Sequence, residues 1–173
     1  MVANPQTIIT GINLDDYAGR LSRLGPALDK IGLYGERQLK LAIARGRKLS
    51  GEPLAPLAPS TKAEKRRRGK ARGILRRDGQ LAASITSTRT SGSEVQIGTN
   101  LGHAPWVILG TRPYKIRPKR KPTLVFYTAD GWRSAKEVNH PGLPERNIFE
   151  GADQVIGPYA TATISAYLET GEP

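Results

Sequence analysis

The chain has 173 residues, with 27 Lys+Arg against 15 Asp+Glu for a formal net charge of +12, two His and no Cys. That length suits a single domain, and the absence of cysteine rules out a disulfide framework, a thiolate nucleophile and Cys-ligated zinc. No run of about 18 apolar residues suggests a membrane span, and Met1 to Gln6 has neither a basic region nor a long apolar stretch, so a protein made and used without export is expected.

Thr7 to Ile12 is short and β-branched, which predicts a strand, with Asn13 placed to cap a following helix whose first turn holds Asp15 and Asp16. Leu14, Tyr17, Leu21, Leu24, Leu28 and Ile31 then recur at spacings of three and four, one face of a helix that packs on a sheet. Gly25-Pro26 interrupts the stripe and predicts a kink, or a restart with Pro26 in the first turn, before the pattern runs through Leu39, Ala42 and Ile43 to about Lys48. Ser50 to Pro59 carries too many prolines for a helix; Ser60 or Thr61 can cap a short basic helix, so 50–77 reads as an extended basic arm. Asp78 to Ser84 suggests a short helix that turns Leu81 and Ile85 inward.

The texture then changes to strand. Ile85 to Thr90 and Glu94 to Gly98 flank Ser91-Gly92-Ser93, a hairpin signal. Trp106 to Leu109 fits either a strand or a helical turn; Tyr114 to Arg117 and Leu124 to Tyr127 read as strands joined by a basic link, and Asp130-Gly131 turns into a final strand from Trp132 through Val138. Asn147 to about Leu168 is helical in spacing, with Gly157-Pro158 as a second break. The expected class is α+β: a long kinked N-terminal helix and a C-terminal helix packed on an antiparallel sheet, with a basic arm, in one domain spanning 1–173. Within it, 1–49 holds the N-terminal strand and helices, 78–144 the short helix and sheet, and 145–173 the last helix.

The positive charge is local. Lys62, Lys65, Arg66, Arg67, Arg68, Lys70, Arg72, Arg76 and Arg77 are accompanied only by Glu64, while Arg112, Lys115, Arg117, Lys119, Arg120 and Lys121 have no acid among them; the other 12 basic and 14 acidic residues leave −2. Runs this dense are solvated, disordered, or facing an anionic partner, which can be a nucleic-acid backbone or an acidic protein surface. Aromatic interleaving for stacking bases is limited to Tyr114, so sequence-specific readout is not indicated. No phosphate-cradling loop is present, since Gly69-Lys70 is followed by Ala71. Asp130, Glu137 and His140 near Ser134 are the nearest approach to a catalytic set and read better as hairpin and bend residues. No catalytic residue, cofactor or metal ligand is assigned.

Several short segments stand in a telling order: Gly51-Glu52-Pro53-Leu54 through Lys62, Ile74-Leu75 with Asp78-Gly79-Gln80-Leu81-Ala82-Ala83-Ser84-Ile85, Val95-Gln96-Ile97-Gly98-Thr99, His103-Ala104 and Leu109-Gly110-Thr111. Their succession resembles that of the phage virion-morphogenesis and tail-completion proteins. Ile116 to Lys119, Leu124 to Phe126, His140-Pro141-Gly142 and Phe149 continue the likeness, so it covers about residues 50–155. The resemblance departs before Pro53, at Asp78, and at Glu145 to Phe149. It implies a non-enzymatic structural protein at the head–tail junction of a tailed phage, present in the virion and in host cytoplasm during assembly. It further implies a homo-oligomeric ring, hexamer or dodecamer, that meets portal, adaptor, tail-terminator or tail-tube proteins, with non-specific contact to packaged DNA and none to membrane. The residues alone also fit a basic nucleic-acid-binding protein of ribosomal or nucleoid type.

Overall fold

The computed structural model describes residues 14–69, 73–128 and 130–173. The strand expected at Thr7 to Ile12 and the cap at Asn13 lie outside these residues. The periodic stripe forms two helices, α1 (Leu14–Leu21) and α2 (Gly25–Arg45), and the second restarts at Gly25-Pro26 with proline in its first turn. Leu28, Ile31, Leu39, Ala42 and Ile43 of α2 are buried, whereas Leu21 of α1 is half exposed. The inward face therefore belongs to α2.

A short basic helix, α3 (Pro59–Arg67), precedes α4 (Gln80–Ala83) and the hairpin β1 (Ile85–Arg89) with β2 (Val95–Thr99). Their antiparallel ladder pairs Ile85 with Thr99 and Arg89 with Val95, and both strands lie on α2. Trp106 to Leu109 resolves to helix, α5 (Ala104–Ile108), because Ala104 and Ile108 are one helical turn apart and both enter the core.

The remaining strands are β3 (Tyr114–Ile116), β4 (Leu124–Thr128), β5 (Gly131–Ala135) and β6 (Val138–His140). The expected final strand is thus two strands. β4 pairs with β5 and β6 returns to pair with β3, so one hairpin is nested inside another. The antiparallel class is as expected, but the strands among the described residues form three two-stranded ladders rather than one sheet. The basic link 117–123 occupies one side of the nested ribbon opposite only 136–137, and this excess length prevents the two ladders from running on as one.

The last helix, α6 (Ala152–Thr170), begins later than its spacing suggests and runs through Pro158 without the expected break. Proline disfavours helical backbone in the residue before it through a clash with that residue's Cβ, and here the residue is Gly157. Packing on α2 also holds the helix on both sides of the proline, with Tyr34 and Tyr159 stacked at 3.8 Å between ring centres.

The core lies where the C-terminal half of α2 meets β1, α4, α5 and the turn before α6. Leu39, Ile43, Ile85 and Ile148 are its fully buried large side chains, each contributing about 1.5–3 kcal/mol by burial. The first part of the expected arm is built into this core, because Leu54 is buried and its N–H donates to Gly46 O at 3.0 Å. Lys48 secures the same corner, its ammonium 2.8 Å from the Glu150 carboxylate and 3.0 Å from that of Glu52.

Candidate interaction surface

The segments that carried the family resemblance meet one another in space. The Ser84 hydroxyl lies 2.7 Å from that of Thr99, joining the start of β1 to the end of β2. Thr111 and Leu143 exchange backbone hydrogen bonds of 3.0 and 3.1 Å. Beside that bridge Gly110, at φ +78°, leaves no room for a side chain: a Cβ there would lie 2.5 Å from Leu143 O. These motif residues close the frame on which the charged segments are mounted.

The cations of the first basic run divide into distinct groups. Glu64 accepts from Arg67 Nε at 3.1 Å and Nη2 at 3.0 Å, and also from Arg68; the hydrogen bonds from Arg67, then those from Arg68, hold its carboxyl below the usual range against the opposing effect of burial. Arg67 also lies 5.1 Å from the ring centres of both Tyr127 and Trp132, which meet edge to face, so it clamps the β4–β5 hairpin to α3. Lys65 turns back to donate to Gly73 O at 2.5 Å and Arg76 O at 3.3 Å. Burial lowers its pKa, and the charges of Arg76 and Arg77 lower it further. Arg77 faces Asp78 at 3.5 Å. Lys62, Arg66 and Arg76 form no ion pair with any described residue, and Lys70 and Arg72 lie outside the described residues.

In the second run, Glu137 binds Arg117 at 2.6 Å and Lys115 at 3.0 Å, and the hydrogen bonds from Arg117 and then Lys115 lower its pKa. Arg112, Lys119, Arg120 and Lys121 are exposed and form no ion pair with described residues. The structure links the two runs through the hairpin: β4, which follows the second run, packs against α3 of the first.

Large apolar side chains are exposed beside these charges. Trp106 and Leu109, three residues apart at α5, are 60% and 66% exposed, and Val125 and Trp132 on the hairpin are 64% and 62% exposed. Each pair places two large apolar side chains in solvent on one element, the kind of surface that interaction sites use.

The residues weighed as a catalytic set are each engaged elsewhere. Glu137 is held by its two cations, Asp130 lies 3.7 Å from Arg133, and His140 stacks on Tyr114 while its Nδ1 accepts from Gly142 N–H at 3.0 Å. Ser134 sits on β5 opposite Val125, in a different ladder from His140. Among the described residues no three or more His, Asp or Glu side chains group to hold a metal ion, and no helix is long and apolar enough to cross a membrane.

Arg146 was not singled out from the sequence. It is only 5% exposed, and it donates from Nε to Ala55 O and from Nη2 to Pro56 O, both at 2.9 Å. It forms no ion pair with a described residue, and burial lowers its pKa. The available signal is a lone basic residue two positions before the apolar pair Ile148-Phe149.

A family model described as the phage virion morphogenesis family matches residues 13–119. No curated protein and no solved structure matches the chain.

Proposed function

The chain belongs to the phage virion morphogenesis family and serves in building the virion, and from that premise we propose that it is a neck or tail-completion component that joins head to tail. Family membership carries the proposal. It is supported by the exposure of both uncompensated cations and large apolar side chains, which suits an assembly subunit. Each copy meets the next head to tail in a closed ring, hexameric or dodecameric, and adjoining portal, adaptor, tail-terminator or tail-tube proteins cover its two faces. Arg112, Lys119, Arg120 and Lys121 face either the DNA that passes through the ring or acidic surfaces of those neighbours. The protein acts as a structural part and not as an enzyme.

Electron microscopy of particles made without the protein tests this reading. Filled heads separate from finished tails are expected; intact, infectious virions would refute it. The ribosomal or nucleoid type of nucleic-acid binding predicts instead that the isolated monomer binds duplex or RNA with a steep salt slope, which filter binding at two salt concentrations would measure.

A further inference from the structure

Arg146 does more than pin the extended segment. Together with Lys65, Arg76 and Arg77 it lines a cavity of about 570 Å³ between α3, the loop before α4, and α5. Among the described residues of the lining Asp78 is the one carboxylate, set against these four cations and paired with Arg77. The Arg146 Nη1 makes no hydrogen bond with a described residue and keeps access to solvent on the cavity side, since no buried side-chain nitrogen among the described residues lacks a partner. A guanidinium largely withdrawn from water without an acidic partner is costly, and an anion entering from the open side offsets that cost. Leu57, Leu75, Leu81, Val107 and Leu143 supply apolar wall, and Thr61, Gln80 and His103 add polar groups between them.

We propose that this cavity is a docking site for a carboxylate side chain carried on an apolar segment of a neighbouring virion protein. Charge complementarity selects an acidic occupant, and the apolar walls select one with an apolar body. Nucleic acid fits less well: phosphate contact needs only exposed cations, and bases need aromatic platforms, yet no Phe, Tyr or Trp lines the cavity. The cavity has the size of sites that enclose a small ligand or a few side chains. The inference rests on the cavity and not on the protein's place at the neck, so it would survive a different position in the particle.

The test titrates isotope-labelled full-length protein with acetyl-Leu-Glu-Phe-Glu-Leu-amide and follows the Arg146 Nε–H signal by NMR. The matching glutamine peptide and a 12-base-pair DNA duplex are run beside it. Saturable shifts at Arg146 are expected with the glutamate peptide, and about tenfold weaker binding with the glutamine peptide, the worth of one charge-assisted hydrogen bond. Since Arg146→Ala endangers folding, Lys65→Ala and the cavity-filling Val107→Phe serve as variants, each expected to weaken peptide binding about tenfold while the protein stays folded. Absence of shifts at the peptide's solubility limit, equal binding of the glutamine peptide, or tighter binding of the duplex at the same signals would overturn the proposal.

Discussion

Replacing Gly32 by alanine should destabilise the protein, although the same change in an ordinary helix stabilises. A Cβ at position 32 would lie 2.7 Å from Ser87 Oγ, 2.9 Å from Ser87 Cβ and 3.1 Å from Val95 Cγ2, where unstrained carbon contacts are about 3.5–4.0 Å. Ser87 cannot simply turn away. Its Oγ and its backbone N–H both donate to Glu36 Oε1, at 2.8 and 2.7 Å, and Glu36 is held in turn by Lys40 at 2.9 Å. Alanine gains about 1 kcal/mol of helix propensity, against about 1–3 kcal/mol for overpacking and about 1.5–3 kcal/mol if a hydrogen bond to the charged Glu36 is lost. The balance is a loss of about 2 kcal/mol, which lowers the melting temperature by about 4–8 °C in a chain of this size. Thermal unfolding followed by circular dichroism measures it, with Gly19→Ala as the comparison. There the nearest atom to a new Cβ is the far end of Arg23 at 3.8 Å, so a small gain is expected. Adding Ser87→Gly to Gly32→Ala should recover the steric part of the loss. A Gly32→Ala protein as stable as its parent would refute the argument that α2 lies on β1 without room for a methyl group.

Three further outcomes follow from the same contacts. Burial raises the pKa of Glu36, but the hydrogen bonds from Lys40 and Ser87 outweigh it and the net shift is downward from 4.5. Its stabilisation is therefore present above 4.5 and lost as pH falls through the lower folded value, and Glu36→Gln should flatten the acid side of a plot of stability against pH. Arg146→Ala leaves the carbonyls of Ala55 and Pro56 without their donor and should cost about 2 kcal/mol or more in urea unfolding. Arg67→Ala should speed amide hydrogen exchange in β4 and β5 while leaving β1 and β2 protected, because an isolated two-stranded hairpin is marginal in water and this side chain ties it to α3.

The helices and strands that carry a periodic pattern were legible in the sequence, and those set by distant contacts were not. The spacing of Leu28, Ile31 and Leu39 announced the buried face of α2, and Ser91-Gly92-Ser93 announced the β1–β2 hairpin. Trp106 to Leu109 was undecided because a short apolar run has no period of its own; the burial of Ala104 and Ile108 settles it as helix. Pro158 predicts a break from its local cost alone, and the packing of α6 on α2 overrides it. The basic runs were visible as charge, yet their division into clamped and uncompensated cations depends on Glu64, Glu137 and the hairpin aromatics, which only the fold brings near. Arg146 was least legible, since its acceptors lie about ninety residues earlier in the chain.

The nested ribbon has a consequence for how such a protein can vary. Ile116 and Val138 face each other as register partners at the point where the chain leaves for β4 and returns from β5. Everything between them can be lengthened, shortened or replaced by a tight turn without altering a residue of the buried core. Variation there changes how the hairpin rests on α3 and leaves the frame that carries it intact, like a fitting that can be exchanged without rebuilding its mount.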